Sequence, residues 1–559
     1  MTEAKILNQI HINQVGYAPT DPKIAVVVIK DAKLADQFEI VDEATGKSIF
    51  TSLITPHEWA TSSGLFWDSD SGDHICYADF TAFETTGTYH IRIEGCENSY
   101  PFTVESGILL EVADATLKAL YSLRCGVALE EIHIGPYQHG ICHDRLATVY
   151  NDPNKKIDVT GGWHDAGDYG KYAAPGAVSV GHLLLAYEFF PQGFHDQLNI
   201  PESGNGIADI LDEARYELEF LLKCVDAPTG GVYHKITTLN FPGFVMPEDD
   251  LGELFAMPVS PTATATCCAV FAQAARIYAE IDSEFAKKCL AAMKLTWEWL
   301  VANPKAPGFK NPSDVLTGEY GDVKSTDERY WAAVECYRLT NDQKYLPYIE
   351  DLLEVNDDTA LDLGWQSVAG FGVIGFLLKT DEHETALYRN TSECLVENIE
   401  KLLEKIKGNG YFNALDDYPW GSNGTVMNQS MMLLMAGLLK KKDAWILESR
   451  KICDYLLGTN PLGISYITGF GSHQVMNPHH RPSGADKIKE PVPGMVIGGP
   501  CAGRLDEDTV KFIPADVPQA KAFTDTIGSY STNEITIYWN SPAILPLTYF
   551  ARSDWKVKC

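Results

Sequence analysis

Residues 160–172 read TGGWHDAGDYGKY and crowd His164, Asp165 and Asp168 into five positions of a glycine-rich stretch with no helical periodicity. Three chemistries fit such a segment: a metal loop, an acid/base centre, or a polar turn whose aspartates satisfy their own backbone. Asp165 and Asp168 stand three apart, close enough to address a single water between them. A further carboxyl, Glu534, lies in FTDTIGSYSTNEITIYWNSP, followed by Ile535, Ile537, Tyr538 and Trp539. Apolar neighbours desolvate a carboxyl and raise its pKa, which suits a general acid; a carboxylate at a helix N-terminus is the competing reading. MNPHHRPSG contributes His479, His480 and Arg481, donors for sugar hydroxyls or for a carboxylate, and is a weak signal standing alone.

Aromatic residues interleave with these loops: Trp163, Tyr169, Trp331, Trp365, Trp420 and Trp539. Core packing accounts equally well for any one of them. Together they favour a carbohydrate cleft, because sugar rings present flat C–H faces that pack on aromatic planes. Cys125, Cys142, His143 and His164 come into one neighbourhood if their loops meet. Two thiolates and two imidazoles would close a tetrahedral zinc site, structural because no coordination position stays open. The spacing is not that of a standard finger, and His133 and His139 compete as ligands. The thirteen cysteines form an odd set that fits reduced thiols better than a disulfide framework. Cys267, Cys268, Cys289 and Cys453 sit in apolar helical patterns and read as small buried hydrophobes.

The elements that must position these groups fall into two kinds. Up to about residue 105 the pattern is β: KIAVVVIK (23–30), FEIVDEATGKSIF (38–50), ICYADF (75–80) and TGTYHIRIEG (86–95) are short strands separated by turn signals, as in a β-sandwich. DSDSGD (68–73) has Asp73 where an EF-hand loop needs glycine, so it reads as a solvated hairpin loop, and calcium has no other support. From about residue 110 the period becomes helical. Segments near 111–129, 176–191, 206–225, 262–280, 283–302, 327–340, 343–354, 366–378, 382–407, 425–439, 442–457 and 537–551 carry apolar faces, such as Ile207, Ile210, Leu211, Ala214 and Leu218. A dozen helices without a solenoid repeat point to a closed helical barrel. The long loops 130–175, 226–261, 304–326 and 458–536 are where a site belongs.

The formal charge of -32 argues against nucleic acid or an anionic membrane surface as partners. Neutral or cationic ligands are easier to hold, although an acidic surface also serves solubility alone. No run approaches the roughly 18 apolar residues that span a bilayer. MTEAKILNQIHINQVGY lacks a basic n-region followed by an apolar h-region, so a cytoplasmic protein is expected. Nothing in the sequence fixes an oligomeric state.

DVTGGWHDAGDYGKY, TGFGSHQVMNPHHR and FTDTIGSYSTNEITIYWNS resemble three active-site blocks of glycoside hydrolase family nine, the inverting cellulase-type family, in its subgroup with an N-terminal immunoglobulin-like domain. INQVGY resembles the start of that domain, and SPTATATCCAVFAQAARIY, STDERYWAA and WGSN resemble its helical segments. The resemblance implies a mainly α fold, an (α/α)6 barrel over 106–559 preceded by an immunoglobulin-like sandwich over 1–105. It implies Asp168 as general base, Asp165 as a holder of the attacking water and Glu534 as general acid. His479 and Arg481 match the family's His-x-Arg beside the scissile bond, and Trp331, Trp420 and Asp144 are expected as further substrate contacts. The subgroup's structural zinc matches Cys125, Cys142, His143 and His164; no organic cofactor is expected. His473 departs from the Asn, Lys or Arg usual at its position.

The activity expected is therefore hydrolysis of β-1,4-linked gluco-configured oligosaccharides, short cello-oligosaccharides attacked from the chain end. Glucosamine oligomers from chitosan, taken by an exo-β-glucosaminidase, are the alternative favoured by the acidic charge and Asp144. A non-catalytic carbohydrate-binding protein would not need Asp165, Asp168 and Glu534 together. A metal-dependent hydrolase would need an open metal position, which a four-ligand set denies.

Overall fold

The computed structural model describes residues 9–30, 35–61, 64–353 and 360–553. The start of the chain read for a leader (1–8), the last residue of the 343–354 segment and Cys559 lie outside the described residues.

Among the described residues, nine strands build the N-terminal sandwich: β1 (Gln9–His11), β2 (Gly16–Tyr17), β3 (Ile24–Ile29), β4 (Gln37–Asp42), β5 (Ser48–Leu53), β6 (Phe66–Asp68), β7 (Asp73–Asp79), β8 (Gly87–Arg92) and β9 (Phe102–Val104). One sheet runs β1-β3-β7-β6 and the other β2-β9-β8-β4-β5. The unbroken apolar run of β3 has a physical cause. Side chains alternate across a strand, and Ala25, Val27 and Ile29 enter the sandwich core while Val26 and Val28, with Ile75 of β7, join the core of the helical part. A strand covered on both faces needs no polar side.

Twelve principal helices follow among the described residues: α1 (Leu110–Lys118), α2 (Ala173–Phe189), α3 (Asp209–Lys223), α4 (Pro261–Ile277), α5 (Ser283–Ala302), α6 (Thr326–Thr340), α7 (Leu346–Leu353), α8 (Ala369–Leu377), α9 (Ala386–Lys407), α10 (Ser422–Lys440), α11 (Asp443–Leu456) and α12 (Ile537–Arg552). Helices α2, α4, α6, α8, α10 and α12 touch in succession, and α12 returns to α2, closing an inner ring; the other six pack outside it. The inner helices are buried on most sides, and every residue of α4 from Pro261 to Ala275 is buried. Outer α9 buries only a stripe that includes Leu395, Ile399 and Ile406. Because inner and outer helices alternate along the chain, the loops entering the inner helices gather at one end of the ring. No helix among the described residues is long and apolar enough to cross a membrane.

Two expectations need correction. The helix expected over 111–129 ends at Lys118; beyond a 3-10 turn the chain extends, and Arg124 bridges to Trp163. Buried Arg124 there reaches Glu202 and Glu213, a demand that helical continuation would not meet. The DSDSGD hairpin is not solvated, for Asp68, Ser71 and Asp73 are buried against the barrel. The Gly410 N–H donates to Asp68 at 3.0 Å, Gln519 to Asp70 at 2.6 Å, and Tyr411 and Lys521 to Asp73 at 2.7 and 2.6 Å. Its carboxylates are satisfied by protein donors far along the chain, which local sequence cannot announce.

Candidate active site

The loop 160–172 is held from two sides. Toward its start, Cys125 N donates to Gly162 O and His164 N to Leu123 O, each at 2.8 Å. One residue later the partner changes: Ala166 bridges Thr536, and Ile537 N donates to Asp165 O at 2.9 Å. Successive side chains of an extended segment leave on opposite sides, so His164 and Asp165 enter different environments. A hydrogen bond from Asp165 N to Gly170 O and another from Gly170 N to the Asp168 carboxylate, 2.9 and 3.0 Å long, fold Asp168 back toward Asp165.

Glu534 arrives from the other end of the chain, just before Thr536 caps α12 by accepting from Trp539 N. Its carbonyl accepts from Gly498 N at 2.8 Å, and His479 pairs beside it, donating from its backbone N to Asn533 O at 2.8 Å. The Gly167 N–H points at the Glu534 carboxyl. A Cβ on Gly167 would lie 2.0 Å from the His479 carbonyl oxygen, so only glycine lets the two loops come this close. Arg481 seals the junction, donating from its backbone N and guanidinium to Gly167 O at 3.0 and 3.1 Å.

Asp165, Asp168 and Glu534 are 1%, 6% and 7% exposed. Burial, then the charges of Asp168 and Asp165, push the Glu534 carboxyl well above its usual range, against Arg481. Asp168 is also raised by burial, but Arg481, the Gly170 N–H and Lys235 all pull it back. Burial raises Asp165 strongly; the Tyr320 hydroxyl, donating to Oδ2 at 2.5 Å, opposes this, and Oδ1 has no protein partner. Buried neighbouring carboxyls do not ionise together. Burial with two acidic neighbours favours the proton on Glu534, and Arg481 with Lys235 favours the charge on Asp168.

Residues 110–547 match glycosyl hydrolase family 9. The chain belongs to that family. Residues 7–98 match the cellulase N-terminal Ig-like domain, so the inner and outer helices form the family's (α/α)6 barrel and the nine strands its immunoglobulin-like companion. The chain is 38% identical to a cellodextrinase of Butyrivibrio fibrisolvens over 97% of its own length and 99% of that protein. A mutant of the thermostable endoglucanase of Alicyclobacillus acidocaldarius superposes with a TM-score of 0.88 at 34% identity, covering 98% of this chain and all of the other. A zinc-binding triple mutant of the family 9 endoglucanase J30 superposes with a TM-score of 0.87 at 30% identity, covering 96% and 99%. This family 9 chain is accordingly a glycoside hydrolase of cellulase type, acting on carbohydrate.

The remaining expected residues of the family 9 chain divide between cleft and core. His479 lies beside Glu534; its Nδ1 bonds Ile527 O at 2.6 Å, and burial keeps the ring neutral. Phe244 meets the His479 ring edge-on at 5.4 Å, Tyr530 at 6.1 Å, and Trp420, 46% exposed, leans on Tyr530 at 5.2 Å. Trp331 is not a cleft residue. It is 1% exposed, stacked on Phe371 at 4.3 Å and pressed against Gly181, because α6 is an inner helix with no solvent face. Asp144 is exposed beside His143, and the strongest charges acting on Asp168 and Glu534 come from other residues. Tyr320 and Lys235 are not singled out from sequence, and Tyr538 is noted there only as an aromatic neighbour of Glu534; the glycine-flanked turn TGEYG is the one local signal at Tyr320.

On the far side of the loop, Cys125, Cys142, His143 and His164 are all buried, with one donor atom from each within 4.8 Å of the others. His143 Nδ1 and His164 Nε2 are 3.3 Å apart, and Cys142 Sγ lies 3.9 Å from His164 Nε2. Tetrahedral zinc bonds would separate two nitrogens by about 3.3 Å and a nitrogen from a sulfur by about 3.6 Å, so the donor set fits the metal. Asp250 accepts from His143 Nε2 at 3.1 Å, which leaves Nδ1 unprotonated and facing the cluster. Asp250 is a partner that sequence reading missed. His133 and His139 are not members, their Nδ1 atoms bonding Asn199 and the Gly140 carbonyl.

Proposed function

We propose that the chain is an inverting hydrolase of β-1,4-linked glucosyl oligosaccharides, with Asp168 as general base and Glu534 as general acid. The unequal environments of these two buried carboxyls, both raised by burial but Glu534 the further, carry the reading. Asp168, whose charge Arg481 and Lys235 favour against burial, takes a proton from water. Asp165, its Oδ2 fixed by Tyr320, offers Oδ1 to that water and aims the lone pair at the anomeric carbon. As the glycosidic bond breaks, Glu534 gives its proton to the departing oxygen, and a single displacement inverts the anomeric carbon. Exchange with solvent returns the proton from Asp168 to Glu534. Proton NMR of fresh product is expected to show the α-anomer first; a β-anomer would contradict the assignment.

Short cello-oligosaccharides attacked from the chain end are the proposed substrates, supported by end-to-end similarity to a cellodextrinase. The case for glucosamine oligomers drew on Asp144, whose exposed place beside His143 weakens it. Time courses on cellobiose, cellotetraose and the glucosamine dimer decide between the two, and turnover of the glucosamine dimer alone would reverse the preference. Zinc is the proposed occupant of the Cys125, Cys142, His143 and His164 set, where its bonds would tie the loop 160–172 to the 125 and 142 segments. A cytoplasmic location is supported by buried thiols such as Cys268 and Cys336, whose sulfurs lie 3.8 Å apart without a bond.

A further inference from the structure

Lys235 begins a short strand, Lys235–Thr237, that pairs with Lys171–Tyr172 immediately after the Asp168 loop. It is buried, an unusual state for an ammonium and one that demands partners. Gly318 O at 2.5 Å, Asn311 Oδ1 at 2.9 Å and Thr317 Oγ1 at 3.1 Å supply an acceptor for each of its three protons. All three acceptors belong to the connection between α5 and α6. The neighbouring His234 contacts Glu319 O at 2.9 Å, and Thr237 donates to Thr317 Oγ1 at 3.0 Å, so the strand grips residues 317–319 at successive points.

The next residue is Tyr320, whose hydroxyl reaches Asp165. Its φ is +45°, a left-handed backbone that a tyrosine rarely adopts and that persists only where surroundings hold it. The grip of Lys235 on Gly318 is that restraint, and the ammonium also faces Asp168.

We infer that Lys235 is a positioning residue for the hydrolytic water: it holds the left-handed Tyr320 turn against Asp165 and lends a buried positive charge to Asp168. This rests on the assignment of Asp168 as base. The charged and titratable groups facing Asp168 are Arg481, Lys235, Glu534, Asp165 and Tyr172, and those facing Lys235 are Asp168, Glu319, His234 and Tyr172. Burial pulls the Lys235 ammonium down to about 7 against the two acids, so its charge is present across the acid side of the activity profile.

Lys235→Met, Lys235→Arg and Tyr320→Phe, made in the full chain and assayed on cellotetraose, test the inference. Lys235→Met is expected to lower kcat by about tenfold or more with KM within about threefold, since orientation rather than substrate contact is lost. The sign for Asp168 follows from charge: losing a cation raises its pKa, so the acid limb of kcat/KM moves up by about half a pH unit or more. Lys235→Arg keeps the charge and is expected to leave that limb in place, and Tyr320→Phe is expected to lower kcat without moving it. Tyr320→Phe and Lys235→Met combined should cost less than the product of their separate effects. Wild-type kcat in Lys235→Met, or an unmoved acid limb with kcat loss tracking thermal stability alone, would overturn the inference. Undiminished turnover in Asp168→Asn would instead remove the base assignment, whatever Lys235 does.

Discussion

His164 and Asp165 are adjacent in the chain yet serve two clusters of opposite character. On the His164 side, four donor atoms converge on one another and Asp250 holds the His143 imidazole. On the Asp165 side, a buried carboxylate oxygen has no protein partner, and the charges around Asp168 and Glu534 are unevenly shared. Both clusters bury ionisable groups, which costs desolvation. The closed one converts that cost into rigidity, and the open one into reactivity.

Breaking the open cluster should have the largest effect. Asp168→Asn or Glu534→Gln is expected to lower kcat by about 10²–10⁴-fold, while the melting temperature holds or rises in Asp168→Asn, which removes a buried charge, and holds in Glu534→Gln, which replaces a protonated carboxyl. Kinetics on cellotetraose beside a thermal melt check both halves. His164→Ala attacks the closed cluster and should reverse the ranking: a clear fall in melting temperature, with activity down about 10–100-fold through loosening of the two aspartates. Elemental analysis should find about one zinc per gently purified chain and none bound after Cys142→Ser; unchanged melting and activity in His164→Ala would show that the anchor is imaginary.

Arg481→Met sharpens the comparison within the cleft. Arg481 lowers both Asp168 and Glu534. Without it each pKa rises, so activity on the acid side is lost at a higher pH, as Asp168 protonates sooner, and the alkaline side extends upward, as Glu534 keeps its proton longer. Both limbs of kcat/KM should move to higher pH, whereas a shift of only one limb would separate Arg481 from the other carboxyl. The smallest effect belongs to Trp420→Ala, expected to raise KM several-fold with kcat nearly unchanged. Trp331→Ala, by contrast, should cost about 3–5 kcal/mol of stability measured by denaturation, as for any large buried aromatic.

What the sequence could carry was whatever rests on local periodicity or dense motif. Amphipathic stripes placed eleven of the helical segments, and TGGWHDAGDYGKY with the glutamate of TNEIT brought the three carboxyls to notice before their meeting was visible. The misreadings share a cause. Trp331 and Trp420 look alike in sequence, and only the ring of helices decides that one faces the core and the other solvent. Lys235, Tyr320 and Asp250 lie in stretches too short to show a periodic pattern, and each matters because of a partner far along the chain. The acidic hairpin 68–73 reads as a solvated turn for the same reason.

That hairpin makes the sandwich a poor candidate for exchange between relatives. A transplanted sandwich with a generic turn would leave Lys521, Tyr411 and the Gly410 N–H stranded at a surface no longer covered, and Lys521 lies on the same long connection that delivers Glu534. Grafting is then expected to succeed only when residues 68–73 travel with their barrel partners, and heating the intact chain should melt both parts in a single transition.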